Sequence, residues 1–142
     1  MRIDTVNPVN LPKIWHEIKP LIDKAFKHNQ GERTANDMLE QLMHDELHLL
    51  ISTDDKYELT GVIVAEELIH PLKKELFVWT WATANGNADE FCYEAFENAL
   101  IGIAESTGCH YISTWCRKGL AKKMTTLRGW EDSYSVITKH LH

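Results

Sequence analysis

Long hydrophobic runs are missing from this 142-residue sequence. Its uncharged apolar runs, such as residues 61–65, are short, whereas a membrane-spanning helix needs about 20 apolar residues. The start of the chain also lacks the unbroken apolar stretch of a cleavable signal peptide, because Asp4 and Glu17 interrupt it. We therefore expect neither membrane association nor secretion, which leaves a cytoplasmic protein.

Paired cysteines and metal-binding motifs are also missing. The cysteines are Cys92, Cys109 and Cys116. Their number is odd, and their spacing is not that of a zinc or redox site. His44 and His48 flank Glu46, but the metalloprotease motif needs the glutamate directly after the first histidine on a continuous helix. We therefore expect reduced thiols and no bound metal.

Positive charge is scarce, since 15 Lys and Arg stand against 21 Asp and Glu, which gives a formal net charge of −6. A negative field opposes the phosphate contacts that dominate affinity for nucleic acids, so we expect neither DNA nor RNA as a partner. The remaining composition, with 44% hydrophobic and 25% charged residues, is ordinary for a globular protein. The length is that of one domain, residues 1–142.

Hydrophobic periodicity predicts an α/β protein. Period-two runs predict six strands, over residues 2–6, 47–52, 59–69, 76–83, 111–116 and 130–138. Apolar residues at helical spacing predict four helices, over residues 11–26, 34–44, 91–104 and 119–128. Pro20 predicts a kink or two abutting pieces in the first helix. The second to fourth strands should form an antiparallel meander, and the helix after the fourth strand makes the fourth and fifth strands parallel neighbours.

Three tryptophans lie on the predicted fourth and fifth strands. Alternation along the fourth strand places Phe77, Trp79 and Trp81 on one face of the sheet. Trp79, Trp81 and Trp115 could line a ligand cleft or a protein-binding surface, because aromatic side chains are enriched at both. Packing inside the core is the alternative interpretation.

The element order β-α-α-β-β-β-α-β-α-β, with Gly129 and Trp130 opening the last strand, resembles the GNAT (Gcn5-related N-acetyltransferase) superfamily over nearly the whole chain. Within that superfamily, the stretch Arg117-Lys118-Gly119 is similar to the short GNAT-like proteins of tailed phages. The resemblance implies a mostly antiparallel sheet whose fourth and fifth strands splay apart to hold acetyl-CoA. It also implies a location in the host cytoplasm, or in the virion if the protein is phage-encoded.

The resemblance further implies that acetyl-CoA contacts the end of the fourth strand and the loop after it. The cofactor-binding residues would be Ala82, Ala84, Asn85, Gly86, Asn87 and Ala88. In the family, glycines and a basic or glutamine residue let backbone N–H groups hold the pyrophosphate at a helix N-terminus. Here the loop has one glycine and no basic residue, and Asp89 and Glu90 would oppose an anion in the first helical turn.

Two catalytic positions follow from the same resemblance. GNAT enzymes often place a carboxylate late in the third strand to remove a proton from the acceptor amine, and Glu66 and Glu67 lie there, with His70 as a further candidate. The alternative is that these side chains simply face solvent. Many members also place a tyrosine four residues before the Gly-aromatic pair to protonate the departing thiolate. That position is Thr125, whose hydroxyl is too weak an acid for the role.

These departures favour a GNAT-fold protein that has lost catalysis and acts through a protein partner or as a homo-oligomer, as a phage accessory or virion-associated protein would. An acetyl-CoA-dependent N-acetyltransferase with an atypical phosphate loop is the alternative. A third hypothesis is a sensor that binds an acyl-CoA in the tryptophan-lined gap without turnover.

Overall fold

The computed structural model describes residues 2–27, 33–84, 90–116, 118–134 and 136–141. Within these ranges the strands are β1 (Arg2–Thr5), β2 (His48–Thr53), β3 (Leu59–Ile69), β4 (Lys74–Thr83) and β5 (Tyr111–Thr114). The helices are α1 (Leu11–Phe26), α2 (Ala35–Met43), α3 (Glu90–Thr107) and α4 (Lys118–Leu127), and a short 3-10 helix (Pro8–Asn10) precedes α1. The predicted order of elements is confirmed as far as α4.

The strands form one sheet in which spatial order follows chain order, from β1 to β5. Neighbouring strands are antiparallel except β4 and β5, which are parallel because α3 carries the chain back across the sheet before β5 begins. This arrangement confirms the predicted α/β class, with a mostly antiparallel sheet and a parallel pair at the fourth and fifth strands.

Helices cover both faces of the sheet. On one face, α1 and α2 bury an apolar cluster that includes Ile18, Ile22, Met38, Leu49, Val62 and Val64. On the other face, α3 buries a second cluster that includes Leu50, Ile63, Leu76, Val78, Phe96 and Leu100. β3 lies between the two clusters, so residues 61–65 are all buried and apolar instead of alternating with polar residues.

The helix boundaries follow local signals in the sequence. The Thr34 hydroxyl accepts a hydrogen bond from the backbone N–H of Asp37 at 3.2 Å, and the Asp37 carboxylate accepts one from the backbone N–H of Thr34 at 2.9 Å, which forms a capping box at the start of α2. Gly108 ends α3 with a φ of +75°, a conformation that costs glycine little. α1 runs through Pro20 as one helix and not as two abutting pieces.

The predicted sixth strand is wrong for the residues that the structure describes. Residues 130–134 and 136–141 contain no strand, and Tyr134 and Ile137 are 91% and 95% exposed. The strand prediction rested on local residue preferences. These say nothing about whether a neighbouring strand is within reach, and pairing is what creates a strand. Among the described residues, β5 pairs only with β4.

Contacts with α3 hold the beginning of the C-terminal segment. Gly129 adopts a φ of +76° after α4, which turns the chain. On either side of it, the Arg128 guanidinium and the Trp130 indole N–H both donate hydrogen bonds to the carboxylate of Glu97. The chain is therefore tied to α3 where the sixth strand was expected to begin.

Candidate functional site

A β-bulge at Trp79 sets the geometry of the candidate site. On β3 and β4, Ala65 pairs with Val78 and the preceding Val64 pairs with Thr80, so Trp79 has no residue opposite it. An extra residue of this kind bends the strand and reverses the alternation of side chains beyond it. The bulge therefore decides which face of the sheet each later residue of β4 occupies.

The prediction that Trp79 and Trp81 share a face is wrong because of this bulge. Trp79 packs on the α1 and α2 side of the sheet. Trp81 packs on the α3 side, with its ring centroid 6.0 Å from that of Phe96 and 5.7 Å from that of Tyr93. A regular strand would have kept both tryptophans together.

β4 and β5 separate at the same point of the sheet. Their parallel pairing runs from Glu75 opposite Tyr111 to Val78 opposite Thr114, and the Thr114 hydroxyl closes it with a 2.9 Å hydrogen bond to the carbonyl of Val78. β4 then continues to Thr83 without pairing to β5. Beyond Val78, the backbone groups on this side of β4 therefore have no partner in β5, which is the separation of the fourth and fifth strands that the resemblance to the GNAT superfamily implies. The place where the two strands separate is called the gap below.

Two buried polar atoms lie on β4 just beyond the point of separation. Within the described part of the chain, neither the Thr80 hydroxyl nor the Trp81 indole N–H has a hydrogen-bond partner. A buried donor without a partner costs roughly 1–3 kcal/mol, so groups of this kind are favourable contacts for a polar ligand. Both side chains belong to the unpaired end of β4.

Glu66 lies beside the bulge and is held by two groups. The Trp79 indole N–H donates a 2.7 Å hydrogen bond to Oε2 of Glu66. The nearest Arg33 nitrogen is 3.6 Å from the same oxygen, and the Arg33 guanidinium lies 4.5 Å from the centroid of the Trp79 ring. Both of these contacts use Oε2.

Trp79 also belongs to a group of three aromatic rings; Phe77, Trp79 and Trp115 are called the aromatic cluster below. Their centroids are 4.8 Å apart for Phe77 and Trp79, 5.3 Å for Phe77 and Trp115, and 6.3 Å for Trp79 and Trp115, all in edge-on contact. Trp115 directly follows β5 and is 63% exposed, so one wall of the cluster faces solvent.

Glu67 has a different environment from Glu66. Its carboxylate lies 2.7 Å from the Lys74 ammonium and 2.7 Å from the His48 ring. By strand alternation, His48 lies on the α3 side of the sheet. The hydrogen bond from Lys74 lowers the pKa of Glu67 below its ordinary value, partial burial opposes that shift, and His48 adds to it. The structure thus separates two neighbours in the chain, and the one beside the gap is Glu66.

The other positions that the resemblance implied for cofactor binding and catalysis lie as follows. Ala82 is buried in β4 opposite Val62, and the backbone N–H of Ala84 donates to the carbonyl of Thr60 at 2.9 Å, so it is not free for a phosphate. Asn85, Gly86, Asn87 and Ala88 lie outside the described residues. His70 contacts Glu75 at 2.6 Å.

The Thr125 hydroxyl is engaged inside α4. It donates to the carbonyl of Ala121 at 2.9 Å, a common arrangement for threonine in helices. The expectation that Thr125 does not act as an acid rests on the weak acidity of a threonine hydroxyl. In addition, its proton is engaged in this hydrogen bond.

A hollow of about 650 Å³ lies elsewhere on the molecule. It is lined by residues 5–9 and 43–45, at the far edge of the sheet from β5. It contains none of the candidate site residues. Across the described ranges, no three His, Cys, Asp or Glu side chains are grouped so that they could hold a metal ion, and no helix is both long and apolar enough to cross a membrane.

Sequence reasoning missed Arg33 and Phe77 as members of the site. Arg33 directly precedes the Thr34 cap, so the recognisable start of α2 also fixes where Arg33 emerges. That signal gives its position along the chain but not its neighbour across the fold. Phe77 was visible as an aromatic of the fourth strand, and its contact with Trp115 depends on the parallel pairing of β4 with β5.

Solved structures with the same fold span nearly the whole chain. A probable acetyltransferase matches with a TM-score of 0.73 and 14% identity, over 100% of this chain and 99% of its own. An aminoglycoside acetyltransferase from an uncultured soil metagenomic sample, in complex with sisomicin, matches with a TM-score of 0.73 and 13% identity, over 99% and 96%. A ribosomal-protein-alanine N-acetyltransferase from Brucella melitensis biovar Abortus 2308 matches with a TM-score of 0.70 and 15% identity, over 99% and 100%.

Neither known protein families nor curated proteins gave a match to this sequence. At identities of 13–15%, the structural likeness shows the fold alone. The fold is that of the GNAT acetyltransferases.

Proposed function

We propose that this protein is an acetyl-CoA-dependent N-acetyltransferase in which Glu66 is the general base. The observation that carries the proposal is the coincidence of three features at one point of the sheet. β4 bulges at Trp79, β4 and β5 stop pairing after Val78, and the Glu66 carboxylate lies beside the resulting gap. A carboxylate next to a gap between two strands is the arrangement that an amine acceptor needs.

Acetyl-CoA would supply the acetyl group as a thioester. An amine attacks only in its neutral form, so a protonated acceptor must first lose a proton. The Glu66 carboxylate takes that proton, directly or through one water, while the Trp79 N–H fixes its orientation through Oε2. The aromatic cluster excludes water from one side of the carboxylate and gives the acceptor an apolar wall.

Parts of the described structure fit the other substrate. The unpaired edge of β4 offers backbone groups to an extended polar chain, and the buried Thr80 hydroxyl and Trp81 N–H lie along it. Positive charge near α3 comes from Lys123, whose ammonium is 4.7 Å from the Tyr93 ring centroid. The sequence alone places the negative charges of Asp89 and Glu90 next to the predicted phosphate loop, so we expect the affinity for acetyl-CoA to be modest.

Isothermal titration of acetyl-CoA and of unacetylated CoA tests binding, and acetyl-CoA-dependent release of free thiol with a panel of amines tests turnover. We expect saturable micromolar binding and turnover that Glu66→Gln lowers at least 100-fold. Glu67→Gln is the matched control, since that carboxylate contacts His48 and Lys74 instead, and it should stay within threefold of the parent. Absence of binding at millimolar acetyl-CoA would refute the proposal.

A second candidate is a non-catalytic role through protein contacts, with a partner or a second copy. It is favoured by the exposure of Tyr134, Val136, Ile137 and Leu141 in the C-terminal segment, because clustered exposed apolar side chains typically mark interaction sites. The association with tailed phages belongs to this candidate and stays a prediction from the sequence. Light scattering of the full chain and of a chain ending at residue 131 distinguishes the candidates, since this role predicts an assembly that only the full chain forms.

A further inference from the structure

We propose that the acceptor carries at least two positive charges, and that its second cation binds the aromatic cluster in the place that the Arg33 guanidinium occupies in this structure. The inference rests on the proposed function and deepens it, because it gives the chemical class of the amine. One amino group reaches Glu66 and is acetylated, and another stays charged against the rings.

The first support is that this site already holds a cation. The Arg33 guanidinium lies 4.5 Å from the Trp79 ring centroid and 3.6 Å from Glu66 Oε2. The combination of a ring face and a carboxylate is the arrangement that attracts ammonium and guanidinium groups. A side chain of the protein therefore demonstrates that the geometry accommodates a positive charge.

The second support is the exposure of Trp115. This side chain is 63% exposed although it packs edge-on against Phe77 and Trp79 at 5.3 and 6.3 Å. Burying an indole in a ligand contact gains both apolar area and cation–π attraction, so an exposed tryptophan in the cluster whose Trp79 binds Glu66 suits an amphipathic cation. A neutral amine would gain only the first of these contributions.

The third support is charge. The whole molecule carries a formal net charge of −6, which draws cations to its surface.

Acetylation balances without any further reactant. Glu66 takes the proton that leaves the ammonium, and the neutral amine nitrogen then forms a bond to the acetyl carbon while the bond from that carbon to sulfur breaks. The thiolate leaves with the electron pair and takes the second proton that nitrogen loses as the amide forms, which gives the free thiol. The distal ammonium takes no part in the bonds and serves only for recognition.

Arg33 is then a competitor for the site. Arg33→Met removes the charge and keeps a flexible apolar side chain, which a ligand cation displaces from the Trp79 ring more readily than a guanidinium that also contacts Glu66. We expect this variant to bind the diamine about fivefold more tightly than the parent, which corresponds to one cation–π contact.

The test uses 1,4-diaminobutane and butylamine, which share a four-carbon chain and differ by one amino group. Tryptophan fluorescence titration without acetyl-CoA measures binding, and thiol release measures turnover. We expect the diamine to bind about fivefold more tightly than butylamine. Trp115→Leu should reduce that preference to twofold or less, whereas Tyr57→Leu, which removes a distant aromatic that is 79% exposed, should preserve it.

The outcomes separate the two proposals. Equal binding of both amines, or a preference that survives Trp115→Leu, overturns the inference, and turnover of butylamine would still support the acetyltransferase. Preferential binding of the diamine without thiol release from any amine supports the cation site and contradicts the proposed function. Tighter binding of alanine than of either amine, lost in Arg33→Met, would instead assign Arg33 to a carboxylate-bearing acceptor and overturn the inference.

Discussion

The indole N–H of Trp79 in β4 donates a 2.7 Å hydrogen bond to Glu66 in β3, and it reaches this carboxylate from a bulged position. Replacement by phenylalanine keeps a ring in the cluster but removes the donor. Since hydrogen bonds to charged groups contribute about 1.5–3 kcal/mol, we expect Trp79→Phe to lower kcat at least tenfold in the thiol-release assay.

Trp81→Phe is the matched comparison for this variant. Its indole N–H has no partner among the described residues and lies on the other face of the sheet. We expect it to raise the KM for acetyl-CoA and to leave kcat within threefold. Equal losses of kcat in the two variants would contradict the role given to the Trp79 hydrogen bond.

Glu67 makes the free energy of unfolding of the protein depend on pH. Because the hydrogen bond from Lys74 lowers its pKa in the folded state, below the ordinary 4.5, the unfolded chain binds the proton more readily. The stabilisation is therefore complete above about pH 5 and is lost as the pH falls through the folded-state pKa. Urea denaturation between pH 3 and 7 should show that the difference between the parent and Glu67→Gln shrinks on acidification. Glu46→Gln, at an exposed position, should show no such trend.

Gly61 lies where two strands and α3 meet. A Cβ there would approach the Ser52 hydroxyl to 2.8 Å, which is closer than such atoms come in folded proteins, and Phe96 to 3.1 Å, which is a tight contact. We expect Gly61→Ala to lower the free energy of unfolding by about 1–3 kcal/mol in chemical denaturation. Gly102→Ala, in α3 with nothing within 4 Å of its Cβ, should raise it by about 0.5–1 kcal/mol.

The carboxylate of Glu97 ties the C-terminal segment to α3 through Arg128 and Trp130. Its truncation leaves the partly buried Arg128 charge without this partner, so we expect Glu97→Ala to cost on the order of 2 kcal/mol. We also expect faster proteolysis after residue 128. Glu94→Ala, an exposed position one turn earlier in α3, is the control, and equal cleavage rates in both variants would contradict the anchoring role.

Local signals in the sequence predicted most of the fold. β3 occupies residues Leu59–Ile69 as its apolar run predicted, the Thr34 and Asp37 pair caps α2, and Gly108 ends α3. Each of these is decided by neighbours in the chain. The sixth strand, which the described part of residues 130–138 does not contain, would need a neighbouring strand edge for pairing, and such an edge lies elsewhere in the molecule.

The site was predicted only in part, for a similar reason. The resemblance to the GNAT fold directed attention to Glu66 and Glu67, and alternation alone could have said that they face opposite sides. Which side carries the gap depends on the bulge at Trp79 and on the end of the pairing at Val78 and Thr114, and neither leaves a mark in the residue pattern. The contact of Arg33 with Trp79 joins residues that are far apart in the chain.

The bulge in β4 makes the length of this strand harder to change than its composition. Deletion of one residue between Val78 and Thr80 would restore regular alternation and send every later side chain of β4 to the opposite face. Trp81 would then leave Phe96 and enter the α1 side, while Ala82 would leave a small gap behind it. Diverging descendants of this protein should therefore accept many substitutions in β4, while insertions and deletions there should be eliminated.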